Sequence, residues 1–217
     1  ASILPFEKDY YPKDAPISYV GHPLLDQIEV FKAKLNPEIK NVLFMPGSRK
    51  GEIAKLMPIF HKVRASLDVK ALIAIPEYFT HEEVLNIYGD LSDFEIVHDS
   101  HKALYEADFA FICSGTATLE ASLIGTPFIL SYIAKGLDYF IATKFVKIDE
   151  VGLSNIMFRK FNNRGMHPEF LQDNVTVDNL LKAYKEYDVV NFLDDSKKLR
   201  EYLVEGSSKN VAKIIEG

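Results

Sequence analysis

A chain of 217 residues, 47% of them apolar, holds enough material for one large domain, or one and a half, with a full core. Its net charge of −6 argues against a general nucleic-acid footprint. The single cysteine, Cys113, excludes an internal disulfide, and no apolar run approaches the roughly 20 residues that a membrane span needs.

The lead-in, residues 1–41, is punctuated by Pro5, Pro12, Pro16, Pro23 and Pro37 and predicts irregular structure with one short helix near Leu24–Val30. Short apolar runs then alternate with helical patterns. Strands are expected at Val42–Met45, Ala71–Ile75, Phe94–Val97, Phe109–Cys113 and Phe128–Tyr132. Helices are expected at Glu52–Leu67, kinked or restarted at Pro58, and at Thr80–Tyr88, Ser100–Glu106, Thr116–Ile124 and Leu137–Val146. The strands are almost wholly apolar and do not alternate, which implies burial on both faces and a doubly wound parallel α/β sheet. Beyond Val146 the rhythm changes. Asp149–Phe158 reads as extended and Arg159–His167 as a polar loop. Helices are expected at Pro168–Gln172, Val177–Glu186, Ser196–Glu205 and Ser208–Glu216, with Asp194, Asp195 and Ser196 as capping residues. Leu199, Tyr202, Leu203, Val211, Ile214 and Ile215 read as core faces of those last helices.

Ligands of such sheets sit beyond the carboxyl ends of the strands. At the first strand end, Gly47-Ser48-Arg49 leads into a helix. Arg49 and Lys50 lie at the positive end of that helix, a conflict that a bound phosphate or diphosphate would remove. Gly47 lets backbone approach a ligand, Ser48 can cap or bind an oxygen, and Arg49 can pair with phosphate. An ordinary turn with a solvated arginine is the competing reading, and the local sequence does not separate the two. The Lys-Ser/Thr ending of a P-loop is lacking. At the second junction, Ser114-Gly115-Thr116 opens a helix on which Glu120 lies off the Leu119/Leu123 line. Its carboxylate is suited to vicinal ribose hydroxyls, against the alternative of a solvated side chain. Two such junctions in one sheet favour a nucleotide site.

Other motifs carry weaker readings. His98-Asp99-Ser100-His101 suggests capping by Asp99 and Ser100 rather than metal ligation, and neither a metal nor a cofactor is expected. Cys113 ends a strand and reads as core. Leu137, Phe140, Ile141 and Phe145, flanked by Lys144 and Lys147, read as a core face with a basic edge, with a membrane surface as the alternative. Asn174-Val175-Thr176 matches a glycosylation acceptor by chance. The opening at Ala1, with neither a Met nor a signal-peptide pattern, is expected of a piece cut from a longer protein.

Four stretches occur in a telling order: Ile3-Leu4-Pro5-Phe6-Glu7-Lys8, Tyr19-Val20-Gly21-His22-Pro23-Leu24-Leu25-Asp26, Met45-Pro46-Gly47-Ser48-Arg49 with Glu52, and Ser114 to Glu120. Together they resemble the carboxyl-terminal part of the lipid A disaccharide synthases, bacterial inverting glycosyltransferases of two-domain GT-B fold. The resemblance implies a Rossmann-like UDP-sugar-binding domain over 42–195, the nucleotide-binding half of a GT-B fold. It makes 1–41 an interdomain segment and 196–217 extra helices that pack on an absent amino-terminal domain or a partner chain. It implies transfer of 2,3-diacylglucosamine from its UDP derivative to 2,3-diacylglucosamine 1-phosphate, forming the β-1,6 disaccharide and releasing UDP. It places Gly47, Ser48 and Arg49 on the diphosphate, Ser114, Gly115 and Thr116 in the same cleft, and Glu120 on the ribose. Asn155, Glu169 and Gln172 match family positions near the nucleotide, whereas Phe158–Asn163 is longer than the family pattern. His22 matches a motif too, with a hinge or packing role expected.

Arg49 is then the leaving-group stabiliser, and the general base belongs to the absent domain. The resemblance further implies a cytoplasmic protein with peripheral contact at the inner membrane. Without the absent domain the apolar faces of Ser196–Glu216 and of the lead-in lack cover, which predicts a homodimer exchanging its end segments. Two readings compete with it: another sugar-nucleotide enzyme, such as an epimerase or a different glycosyltransferase, and a non-catalytic nucleotide-binding domain.

Overall fold

The computed structural model describes residues 1–133 and 150–216. Six strands form one parallel sheet in the order β3-β2-β1-β4-β5-β6. They are β1 Asn41–Met45, β2 Lys70–Ala74, β3 Glu95–Val97, β4 Phe109–Cys113, β5 Phe128–Tyr132 and β6 Glu169–Leu171. The helices are α1 Pro23–Gln27, α2 Lys50–Ala65, α3 His81–Tyr88, α4 Ser100–Glu106, α5 Thr116–Ile124, α6 Leu153–Asn162, α7 Val177–Glu186, α8 Val189–Leu203 and α9 Ser207–Glu216. The helix expected at Leu137–Val146, with Leu137, Phe140, Ile141, Lys144 and Phe145 and the neighbouring Lys147, lies outside the described residues.

The strand sequences explain the layers. Successive side chains point to opposite faces, and both faces are covered, so nearly every position is apolar. Val42, Phe44, Phe109, Phe111 and Ile129 join Ile53, Phe60, Tyr88 and Leu180 in one core. Leu43, Met45, Ala110, Ile112, Phe128 and Leu130 join Leu104, Leu119, Met157 and Leu199 in the other. Phe44 is the centre of the first, stacked on Phe111 at 5.3 Å and edge-on to Phe60 at 5.5 Å and Phe94 at 5.4 Å. Rings arranged in these ways gain attraction beyond their buried area.

The structure corrects several expectations. The first helix ends at Gln27 rather than Val30. Helix α2 does not restart at Pro58 but runs through it, at the cost of the one hydrogen bond that proline cannot donate. Asp149–Phe158 is not an extended run, because α6 begins at Leu153 and continues to Asn162, inside the expected loop. The expected helix at 168–172 is replaced by a strand: Glu169–Leu171 pairs with Leu130–Tyr132 at the edge of the sheet, and Gln172 opens a short 3-10 turn, Gln172–Asn174. Asp194, Asp195 and Ser196 are not caps but lie inside α8, whose cap is Asp188, accepting from the Val190 N–H at 3.1 Å. The division at 195/196 therefore falls within a helix. Leu199 and Leu203 are buried, but Ile214 and Ile215 are exposed rather than core.

The two ends of the chain are knitted together. The Asp26 carboxylate accepts from Gly206 N at 2.7 Å and Ser208 N at 3.0 Å, the Tyr19 hydroxyl donates to Leu203 O, and Asn210 Nδ2 donates to Val20 O at 3.0 Å. His22 is buried at this seam. Its backbone N–H bonds to Leu203 O at 3.2 Å and its Nδ1 accepts from Leu24 N at 3.3 Å, which caps α1.

Candidate functional site

Strand order reverses between β1 and β4, whose helices leave on opposite faces, so their carboxyl ends splay apart and leave a crevice. A cavity of about 350 Å³ occupies it, a size usual for small-molecule sites. Its wall includes Gly47, Ser48, Arg49, Ser114, Gly115 and Thr116, so six of the expected residues come together. Met45, Glu52, Pro76, Cys113 and Ala117 complete most of it.

Gly47 is required twice over. Its φ of +107° is unfavourable for other residues, and a Cβ there would meet Glu52 Oε2 at 3.1 Å and Cys113 Sγ at 3.2 Å. Two helix N-termini bound the cavity. The N-cap of α2 is Arg49 and that of α5 is Gly115, and neither supplies a side-chain cap. Among the described residues no side chain caps their first backbone N–H groups, which suits them to another acceptor. On the far side the Tyr78 hydroxyl donates to Ser48 O at 2.6 Å and ties the turn to the segment after β2.

The charges differ from the sequence expectation. Arg49 and Lys50 do sit at the positive end of α2, but each already has a counter-ion. Arg49 Nη1 lies 2.8 Å from Glu52 Oε1, and Lys50 Nζ lies 2.5 Å from Glu83 Oε1. The hydrogen bond that Arg49 donates to Glu52, and then the charge of that carboxylate, draw Arg49 further towards the protonated form. Glu52 is the residue that sequence reasoning left out of the site, although a glutamate at the third helical position, one turn from Arg49, was a visible signal. Burial, with Glu52 adding to it, pushes the Cys113 thiol up to about 12, which keeps it protonated and un-nucleophilic.

The remaining expected residues lie elsewhere. Glu120 does not line the cavity. One turn beyond Ala117 on α5, it meets His101 Nε2 of α4 at 3.7 Å. Burial raises its carboxyl and His101 opposes that rise. Asn155, only 1% exposed, is consumed internally. Its Nδ2 donates to His167 O at 2.9 Å and Glu169 Oε1 at 2.7 Å, and its Oδ1 accepts from Met166 N at 2.6 Å and His167 N at 3.1 Å. Glu169 also accepts from Val151 N at 2.7 Å and Gly152 N at 3.1 Å. Both are clamps on the segment before β6, not cleft walls. Gln172 follows β6 with φ +53°, and its buried Nε2 has no partner among the described residues. Asp99 caps α4 through Lys102 N at 3.0 Å, and His98 donates from Nδ1 to Ile75 O at 2.8 Å. Among the described residues no three His, Cys, Asp or Glu side chains are grouped to hold a metal ion.

A six-stranded parallel sheet with its crevice at the strand-order reversal, walled by two helix N-termini, defines a Rossmann-like α/β domain. The same fold recurs in the structure of a calicheamicin glycosyltransferase, at a TM-score of 0.57 and 15% identity over 99% of this chain and 50% of that one. Residues 1–213 match the family model for lipid-A-disaccharide synthetase, and the chain belongs to that family. It is 47% identical to the lipid-A-disaccharide synthase of Helicobacter pylori strain Shi470 over 97% of its own length, and 47% identical to that of Campylobacter jejuni serotype O:2 over 99%. It spans 61% and 60% of those relatives.

Proposed function

We propose that this chain holds the UDP end of a diacylglucosamine donor during formation of the lipid A disaccharide. The observation that carries the reading is the convergence of Gly47–Arg49 and Ser114–Thr116, with two helix N-termini, on one cavity. When an acceptor hydroxyl attacks the anomeric carbon, the bond to the diphosphate breaks and negative charge grows on the leaving UDP. Preorganised N–H groups and the Arg49 guanidinium are placed to receive that charge. The hydroxyl proton must pass to a base opposite the leaving group. We assign that base to the part of the relatives beyond this chain, so the chain alone binds UDP weakly and does not turn over.

Glu120 remains a proposed contact for the ribose and Gln172 a proposed contact near the nucleotide, although neither lines the cavity itself. Asn155 and Glu169 are proposed to act indirectly, by holding the turn into β6. We further propose dimerisation through end segments and peripheral contact with a membrane. No described helix is long and apolar enough to cross one. Product analysis in the intact protein tests the reaction. UDP-2,3-diacylglucosamine plus the 1-phosphate acceptor should yield disaccharide, and Arg49→Ala should raise the barrier by about 3 kcal/mol, roughly a hundredfold in rate. Undiminished turnover by that variant would favour a non-catalytic role for the cleft. Epimerisation of the donor instead of transfer would overturn the assignment.

A further inference from the structure

Arg49 enters the cleft already engaged. Its side chain is 78% exposed, while the Glu52 side chain it contacts at 2.8 Å is 14% exposed and lies in the cavity wall. The other Glu52 oxygen, Oε2, sits over Gly47 and beside Cys113. A carboxylate and a phosphoryl group ask the same of a guanidinium, namely two oxygens for its fork of N–H donors. The two cannot both have Arg49 to themselves, and they repel one another at the N-terminus of the same helix.

We propose that Glu52 is an affinity-setting residue of the cleft: an internal counter-anion that a diphosphate must displace from, or share with, Arg49. This rests on reading the cleft as a diphosphate site. The pair cancels the net charge that Arg49 would otherwise present, so attraction of the anion falls mainly to the N–H groups of α2 and α5. Tight retention of UDP after transfer would then be prevented by a group built into the wall. A purely positioning Glu52 predicts something different, because a neutral amide would still accept from Arg49 and hold it in place.

Glu52→Gln separates the two roles. It keeps the shape and the acceptor oxygen and removes only the charge. In calorimetric titration of the protein with UDP, E52Q should bind about fivefold more tightly than the parent, the size expected for removing one partly screened like charge. Its binding should also weaken more steeply with added salt. In an Arg49→Ala background the same change should give a clearly smaller gain. Unchanged or weaker UDP binding by E52Q, alongside a loss in R49A, would overturn the role of Glu52 and leave the cleft reading standing. If R49A binds UDP as well as the parent, the role of Glu52 falls while the N–H site stands; if UDP does not bind at all, both fall together.

Discussion

His167 shows how much a single buried residue is asked to do. It packs against Phe128 with ring centroids 4.1 Å apart, and its Nε2 lies 2.8 Å from the Ser154 hydroxyl. Burial pushes its pKa down to about 3. The Nδ1 N–H points at Pro168 O, 3.3 Å away, so Nε2 is the acceptor and Ser154 the donor. The folded chain keeps this imidazole neutral, whereas the unfolded chain protonates it near pH 6.5. The contribution is therefore complete above about pH 6.5 and falls as pH drops towards 3, by about 1.4 kcal/mol per unit. His22, also lowered by burial, acts in the same sense. Glu120 and Glu169, raised by burial, act in the opposite one. Denaturant titrations at pH 7 and pH 5 should show the parent losing more stability between them than His167→Gln does. Equal losses would contradict the neutral-imidazole assignment. At this scale the sequence exposed Gly47, Arg49 and the Ser114–Thr116 turn, because strand-to-helix junctions are local. It could not expose the clamp role of Asn155, whose partners lie 11 to 14 residues on, or the Asp195 carboxylate. That group is buried in α8 and bound by Arg164 at 2.7 and 2.9 Å from 31 residues away.

Among the elements, α4, β4, α5, β5 and α7 lie at the residues that their apolar patterns and caps indicate. Helix α6 was hidden because its buried face carries Ser154 and Asn155 beside Met157 and Phe158, which breaks the apolar period. Strand β6 was hidden because Pro168 followed by Glu169 reads as a helix start, and only pairing with β5 makes three residues a strand. Helix α9 depends on a partner far away in sequence. The Asp26 carboxylate of α1 receives the N–H groups of its first turn, and the Ser208 N–H above all holds that carboxyl below the usual range. Asp26→Ala should cost α9 about 1 kcal/mol, as loss of a capping acceptor does. Hydrogen exchange should then quicken across Ser207–Glu216 while β1 and β4 keep their protection. Unchanged exchange in α9 would show that its seam with the lead-in rests on apolar contacts alone.

At the scale of the molecule, all-apolar strands imply a parallel sheet, a parallel sheet implies crossovers, and the reversal of strand order fixes where the crevice opens. That much follows from sequence. Which charges the crevice presents does not, because Glu52 and Glu83 pair with the cations whose place at a helix N-terminus first suggested an anion site. The account therefore stands on convergent N–H groups more than on net charge, and such a site should distinguish ligands by the number of phosphoryl groups spanning α2 and α5. Calorimetric titration with UDP, UMP and ADP measures this directly. The account predicts that UDP binds at least about tenfold more tightly than UMP, since the second phosphoryl group adds charge-assisted hydrogen bonds, with ADP weaker than UDP. Equal affinity for UMP and UDP would contradict it.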